Sequence, residues 1–216
     1  MNEEQKMTET GYNDKKEEVY YSVGSFLLEI VKVFFLALII ITPIRMFLFQ
    51  PFFVQGASME PNFRNGEYLI INEFGYKKTD VGLGNARIFT VSPFKKLERE
   101  NVVVFRYPKD PHQFFIKRVI GLPGETVELK DGNVYISNKN NSEKVLVDEN
   151  NYLEKEIITD NSGGSEKVEI GEDEYFLMGD NRSHSYDSRS FGSVKESAII
   201  GKVLIRAWPF SKINLF

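Results

Sequence analysis

Between Ser25 and Phe49 the chain is almost wholly apolar, with Val31-Lys32-Val33-Phe34-Phe35-Leu36-Ala37-Leu38-Ile39-Ile40-Ile41-Thr42-Pro43-Ile44 at its centre. No other stretch limits the fold as strongly. A helix that spans a bilayer needs roughly 20 mostly apolar residues, and this segment is long enough. Glu29, Lys32 and Arg45 interrupt it. Glu29 and Lys32 sit at i,i+3, where they can pair. Lys32 and Arg45 have stems long enough to carry their charges to the two interfaces. Pro43 near the far end bends such a helix rather than abolishing it. Two other readings fit: a buried helix of a soluble core, or a cleaved secretory signal. The second is weakened because Gln55-Gly56-Ala57 puts Gln55 where a cut after Ala57 would need a small residue. A retained membrane anchor over residues 25–50 is therefore expected. Ahead of it, residues 1–24 read as a polar, acidic, disordered tail, with Glu3, Glu4, Glu9, Asp14, Glu17 and Glu18 against Lys6, Lys15 and Lys16. So few basic residues leave the positive-inside signal feeble.

The remainder suffices for one compact domain, residues 51–216. The whole chain has 216 residues and is 42% hydrophobic, with 18 Phe and 10 Tyr to fill a core. A net charge of −4 supplies no basic footprint for nucleic acid. Without a single Cys there are no disulfides, no thiolate metal sites and no cysteine nucleophile. The two His, His112 and His184, leave little for a histidine metal site or a Ser-His-Asp triad. Neither a metal nor a cofactor is expected.

Short β-branched and aromatic runs predict strands at 66–72, 101–108 and 113–120, and again at 168–170, 175–178 and 199–207. Asp131-Gly132 between two alternating runs, 127–130 and 133–136, is a type I′ hairpin signal, because both turn residues need positive φ. No long helical period follows the anchor. The expected fold is mainly β, in antiparallel sheets. The Asn-, Ser-, Glu- and Gly-rich stretch at about 138–165 reads as a small surface insert, and residues 80–99 as a second irregular region.

Three runs carry the chemistry: Gly56-Ala57-Ser58-Met59-Glu60-Pro61, then Phe115-Ile116-Lys117-Arg118-Val119-Ile120-Gly121-Leu122-Pro123-Gly124-Glu125, then Gly179-Asp180-Asn181-Arg182-Ser183-His184-Ser185-Tyr186-Asp187-Ser188-Arg189. A serine hydroxyl is a poor nucleophile until a base takes its proton. Without cysteine or a convincing histidine, that base is a carboxylate or a lysine. A lysine serves only when neutral, which requires burial. Lys117 has apolar neighbours, and in a strand it shares a face with Phe115 and Val119 while Arg118 points the opposite way. Each run also has a plainer reading: Ser58 as a turn residue, Lys117 and Arg118 as edge charges, the third run as a self-satisfied loop with His184 solvated.

Taken together and in order, the runs resemble the motifs of type I signal peptidases, membrane-bound serine proteases with a Ser-Lys dyad. The resemblance extends from the anchor to about Ala207, leaving out the acidic tail and the insert at about 138–165. It implies that Ser58, in Ser-Met-x-Pro, is the nucleophile and Lys117 the general base. It further implies that Ser185 hydrogen-bonds and orients the lysine while Asp187 pairs with Arg189, an i,i+2 pairing that suits one face of a strand. The Ser58 backbone N–H is the expected oxyanion donor. Gly56 departs from members that carry a second, hydroxyl-bearing donor at that position. Glu100-Asn101 departs from the usual Gly-Asp in a run that is mostly scaffold. If Phe52, Val54, Gly56 and Ser58 alternate on one extended face, their apolar groups line shallow pockets, to which the resemblance adds Met59 and Ile116. Such pockets suit the small residues at −1 and −3 of a signal-peptide cut site, the peptide binding as an added strand. The implied partners are secretory preproteins and membrane lipid, with the N-terminus cytoplasmic and the β domain extracytoplasmic. Two rivals remain. A self-cleaving repressor with the same dyad would need a DNA-binding helical domain, which this N-terminus does not resemble. A catalytically dead, membrane-tethered binding domain is the other.

Overall fold

The structure, a computed structural model, describes residues 23–47, 49–83, 86–138, 141–154 and 157–216. Most of the acidic tail lies outside the described residues. The chain divides into two compact units, residues 1–42 and 43–216. Helix α1, Val23–Phe47, is the helix expected from the apolar segment. It is long and apolar enough to cross a membrane, and Phe34, Leu38, Ile39 and Ile40 on it are exposed. An apolar surface all round a helix has no place in water.

The second unit is built from strands. In chain order these are β1 (Phe49–Phe53), β2 (Tyr68–Asn72), β3 (Thr79–Leu83), β4 (Ala86–Val91), β5 (Val102–Tyr107), β6 (Asp110–Gly121), β7 (Glu125–Lys130), β8 (Asn133–Asn138), β9 (Asn141–Leu146), β10 (Lys167–Glu169) and β11 (Glu174–Met178). A single helical turn, α2 (Ser188–Phe191), precedes β12 (Val194–Lys195), β13 (Ile199–Trp208) and β14 (Asn214–Leu215). The larger sheet runs β1-β2-β13-β5-β6-β11-β12, with β14 beside β13, and every pairing in it is antiparallel. Although β1 and β6 are four pairings apart in that order, residues of both line one cavity, so the sheet curls back towards itself.

A smaller sheet, β10-β7-β8-β9, is centred on the predicted hairpin. Lys130 faces Asn133 across its turn, and Asp131 (φ 51°) and Gly132 (φ 78°) both take the left-handed backbone that a type I′ turn requires. The predicted strands thus appear with bounds shifted by up to three residues: β2 and β5 are shorter than expected, β10 is displaced by one residue, and β6 is longer. Two regions differ. Residues read as irregular form the β3–β4 hairpin. The polar stretch 138–165 holds more than a surface loop: it contributes β9, and Tyr152 and Thr159 within it are buried. Few apolar residues mark the polar stretch, so pairing rather than patterning makes β9 regular, whereas β3 and β4 carry apolar residues of their own, Val81, Leu83, Ile88, Phe89 and Val91, in short runs interrupted by glycine.

Strand β6 connects the hydrophobic clusters by its alternation. Ile116 packs against one built on Met59, Phe63, Leu69 and Ile71; Ile120 enters a second with Val127, Val134 and Tyr152; Phe115 and Val119 join a third around Phe105 and Leu177. Lys117 therefore lies on an inward face. In β13, Gly201 is held between β2 and β5, and a Cβ there would lie 2.2 Å from the Asn72 carbonyl oxygen. Gly201→Ala is expected to cost about 1–3 kcal/mol of stability as strands part to admit the methyl, measured as a lower urea midpoint in detergent.

Candidate active site

Ser58 sits in the turn that follows β1. The stem of that turn is closed by Val54 N–H to the Glu67 carbonyl (2.9 Å) and Gly66 N–H to the Val54 carbonyl (3.0 Å). Phe63 N–H to Met59 O (2.8 Å) winds the far side. Gly56 takes φ 88°, a backbone that suits glycine, and its N–H is committed to Asn65 Oδ1 at 3.0 Å. The extended, alternating face expected through Ser58 therefore ends before Gly56, where the chain turns.

Lys117 reaches Ser58 from β6. Its Nζ donates to Ser58 Oγ at 2.7 Å and to the Ile116 carbonyl at 3.0 Å. The residue is only 4% exposed, with the Phe115 ring 5.4 Å from Nζ. Burial lowers its pKa from 10.5 to about 8; Asp187 and Asp180 oppose that shift, and Arg189 adds to it. A buried amine of this kind is neutral in an appreciable fraction near neutral pH, and a neutral Nζ accepts the hydroxyl proton it now faces. An edge charge in water has neither the burial nor the contact.

The third run folds onto the turn of Ser58. Asn181 donates from its backbone to the Ser58 carbonyl (3.0 Å) and from Nδ2 to the Ala57 carbonyl (3.1 Å). Gly179 is where the two pieces meet: a Cβ on it would stand 2.2 Å from Ser185 Oγ and 2.4 Å from the Ser58 carbonyl oxygen. Ser185 is thus beside the nucleophile's backbone. Its Oγ is buried without a hydrogen-bond partner, so the bond to the lysine that the resemblance implies is not formed in this geometry. Asp187 and Arg189 make a bidentate pair, both side chains fully buried, at 2.8 and 2.9 Å. They do so at the start of α2 rather than along a strand: Asp187 caps that helix through the Arg189 N–H and also accepts from the Gly179 N–H at 3.0 Å.

Other members of the site carried no separable signal in the sequence. Arg118, pointing away from Lys117, forks onto fully buried Asp180 at 2.7 and 2.6 Å. Asn62 donates to the same carboxylate at 2.9 Å. All three stand in or beside the runs already singled out, but only burial distinguishes Arg118 and Asp180 from surface charges.

A cavity of about 520 Å³ opens at the pair. Phe52, Val54, Gly56, Ser58, Ile116 and Lys117 line it, together with Leu69, Val104, Phe114 and Phe115. His184 and Tyr186, both exposed, also border it, and His184 contacts Ser183 Oγ and Asn181 Oδ1 rather than Ser58. Met59 is the exception among the expected lining residues. It is 1% exposed, in the cluster beneath the turn, and is absent from the wall. Among the described residues no group of three or more His, Cys, Asp or Glu side chains stands ready to hold a metal ion.

The family described as signal peptidase, peptidase S26, matches residues 27–208, and the chain belongs to it. It is thereby an enzyme of the serine-protease type. Signal peptidase IB of Staphylococcus aureus is 34% identical over 199 residues, which span 87% of this chain and 93% of the relative. A probable signal peptidase I-2 of a Synechocystis strain is 32% identical over 188 residues, 87% of this chain and 76% of that protein. A crystal structure of a signal peptidase I from Enterococcus faecalis is 34% identical and covers 50% of this chain and 97% of its own, at a TM-score of 0.39.

Two outcomes follow from this packing. Gly179→Ala drives a methyl into the Ser58 carbonyl and Ser185 at once, and activity is expected to fall about 100-fold, measured as initial rate at equal folded protein. Lys117→Met is expected to abolish activity yet stabilise the chain at pH 7, by on the order of 3 kcal/mol less any packing loss. The sign follows from a folded pKa of about 8 below the ordinary 10.5. Between those values the unfolded state binds more protons, so wild-type stability rises with pH. The advantage of the methionine variant should shrink across that window in denaturant titrations.

Proposed function

We propose that this protein is a membrane-anchored endopeptidase that removes N-terminal signal peptides from secretory preproteins, with Ser58 as nucleophile and neutral Lys117 as general base. The observation that carries the proposal is the 2.7 Å contact between Lys117 Nζ and Ser58 Oγ at a lysine shielded from water. Ser58 Oγ attacks the scissile carbonyl while Lys117 takes the hydroxyl proton. The Ser58 N–H stabilises the oxyanion. Gly56 offers no hydroxyl there, and its own N–H is already bonded to Asn65. As the intermediate collapses, the ammonium of Lys117 gives its proton to the leaving amine, and an acyl-enzyme remains. Lys117 then deprotonates a water that releases the acyl group. Ser185 orients the amine as it moves between partners, and the Asp187–Arg189 pair braces the loop that carries Ser185.

The substrate lies extended between β1 and β6, adding a strand to the curled sheet. Its −1 and −3 side chains meet a wall of Phe52, Val54 and Ile116, with Met59 filling the space behind. Shallow apolar walls admit Ala-sized groups and exclude larger ones. Helix α1 anchors the enzyme in lipid, with its N-terminus cytoplasmic and the β unit on the extracytoplasmic side, where translocated preproteins present their cut sites.

The test is cleavage of a model preprotein in detergent by the wild type, Ser58→Ala and Lys117→Ala. Cutting after an Ala-x-Ala site is expected from the wild type alone. Its kcat/KM should climb with pH through about 8, as Lys117 loses its proton, and be about tenfold lower at pH 7 than on the plateau. Wild-type rates in either variant, or a flat profile from pH 6 to 9, would exclude this mechanism, and an inert wild type would favour a tethered binding domain.

A further inference from the structure

The polar stretch between the second and third runs touches both of them and the turn that carries the first. Glu149 accepts from Arg182 Nη2 at 2.5 Å and from Nη1 at 3.1 Å, and the Tyr152 hydroxyl donates to the same carboxylate at 2.8 Å. Arg182 belongs to the third run; its side chain is 1% exposed, and its Nε donates to the Gly179 carbonyl at 3.0 Å. Thr159 Oγ1 takes another of its donors. Tyr152 reaches the second run and the turn that carries the first. Its carbonyl accepts from Asn62 Nδ2 at 2.7 Å, in the turn that carries Ser58. Its ring lies 4.2 Å from the Arg118 guanidinium, on the strand that carries Lys117.

Asn62 Nδ2 is shared between Tyr152 and Asp180, and Asp180 in turn holds Arg118. The turn of Ser58, the strand of Lys117 and the loop of Ser185 therefore converge on one tyrosine and the glutamate beside it. Neither residue lines the cavity at Ser58. A buried guanidinium that loses its carboxylate is left as an uncompensated charge, a strongly destabilised arrangement, and Arg182 is bonded to Gly179, whose Cα separates Ser185 from the Ser58 carbonyl.

We propose that Glu149 and Tyr152 are positioning residues of the peptidase, setting the distance between the Ser58 turn, Lys117 and the Gly179–Arg189 loop. The proposal rests on the Ser58–Lys117 reading above. That reading falls if Ser58→Ala still cuts, whereas this one falls alone if the dyad variants are dead and the variants below are not impaired.

The experiment compares kcat, KM and melting temperature for the full chain in detergent. Glu149→Gln is expected to lower kcat about tenfold or more with KM changed less than about twofold, because contacts at the substrate wall are untouched. Glu149→Asp should recover part of the loss. Tyr152→Phe keeps the ring on Arg118 and the carbonyl for Asn62 but loses the bond to Glu149, so its loss should be smaller than that of Tyr152→Leu. Glu73→Gln is the control: a buried carboxylate paired with Lys77 at 3.0 Å, away from the cleft, it should lower the melting temperature without lowering kcat. If Glu149→Gln and Tyr152→Leu lower the melting temperature while keeping wild-type kcat, as Glu73→Gln does, the two residues are merely structural and the proposal is overturned. Should the harsher variants fail to fold, Tyr152→Phe and Glu149→Asp decide by the same split.

Discussion

The site depends on one amine kept away from water. Lys117 is an ordinary residue on a strand, and in solvent its charge would make it useless as a base. The inward face of β6 changes that, because Phe115 and Val119 place their apolar bulk on either side of it. Burial disfavours the ammonium, and the Ser58 hydroxyl and the Ile116 carbonyl are the polar partners within its reach. The same burial that equips the lysine for its proposed role costs the fold stability at neutral pH, an instance of stability given up at a functional site.

Holding that pair in place takes more structure than the pair itself. Ser58 lies on a turn and Ser185 on a loop, both less rigid by nature than the strand that carries Lys117. The turn is closed at its base by Gly66 and Glu67, just ahead of β2, and shaped by Gly56, while the loop is bonded to the turn through Asn181. Two buried arginine–aspartate pairs, Arg118 with Asp180 and Arg189 with Asp187, then fix the loop to the strand and to itself. Removing one partner from such a pair leaves a buried charge unpaired, so each is a strong constraint on geometry even where its net contribution to stability is small. The charges that shift the lysine most after burial, Asp187, Asp180 and Arg189, belong to these pairs. Architecture and protonation are thus set by the same residues.

Much of this was legible in the residues themselves. The apolar segment, the Asp131-Gly132 hairpin and the strands around Val102–Tyr107 and Phe115–Ile120 follow from local rules of length, periodicity and turn chemistry. The candidates Ser58 and Lys117 followed from the family resemblance and from the lack of Cys and usable His. What local rules could not reach depended on partners distant in the chain. Strand β9 has little apolar alternation of its own and becomes a strand by pairing, while β3 and β4, apolar at Val81, Leu83, Ile88 and Val91, are short runs interrupted by glycine. Met59 reads as a lining residue by adjacency to Ser58 but is drawn inward by the turn. Tyr152 and Glu149 sit in a stretch whose composition resembles a solvated insert, and only their contacts reveal otherwise.

The sequence by itself determined the membrane-length helix, the mainly antiparallel β class and the identity of the residues that can do chemistry, because each rests on composition or on neighbours a few positions away. Only the tertiary structure decided which of those residues meet. Ser58, Lys117 and Ser185 come from a turn, a strand and a loop, and they converge because the sheet curls and the third run bonds back to the first. It also decided that Ser185 Oγ lies beside the Ser58 carbonyl without yet bonding to the lysine, and that Asp187 and Arg189 pair at a helix start. Burial and long-range contact belong to the folded chain as a whole, and both the proton affinity of Lys117 and the reach of its amine are set there.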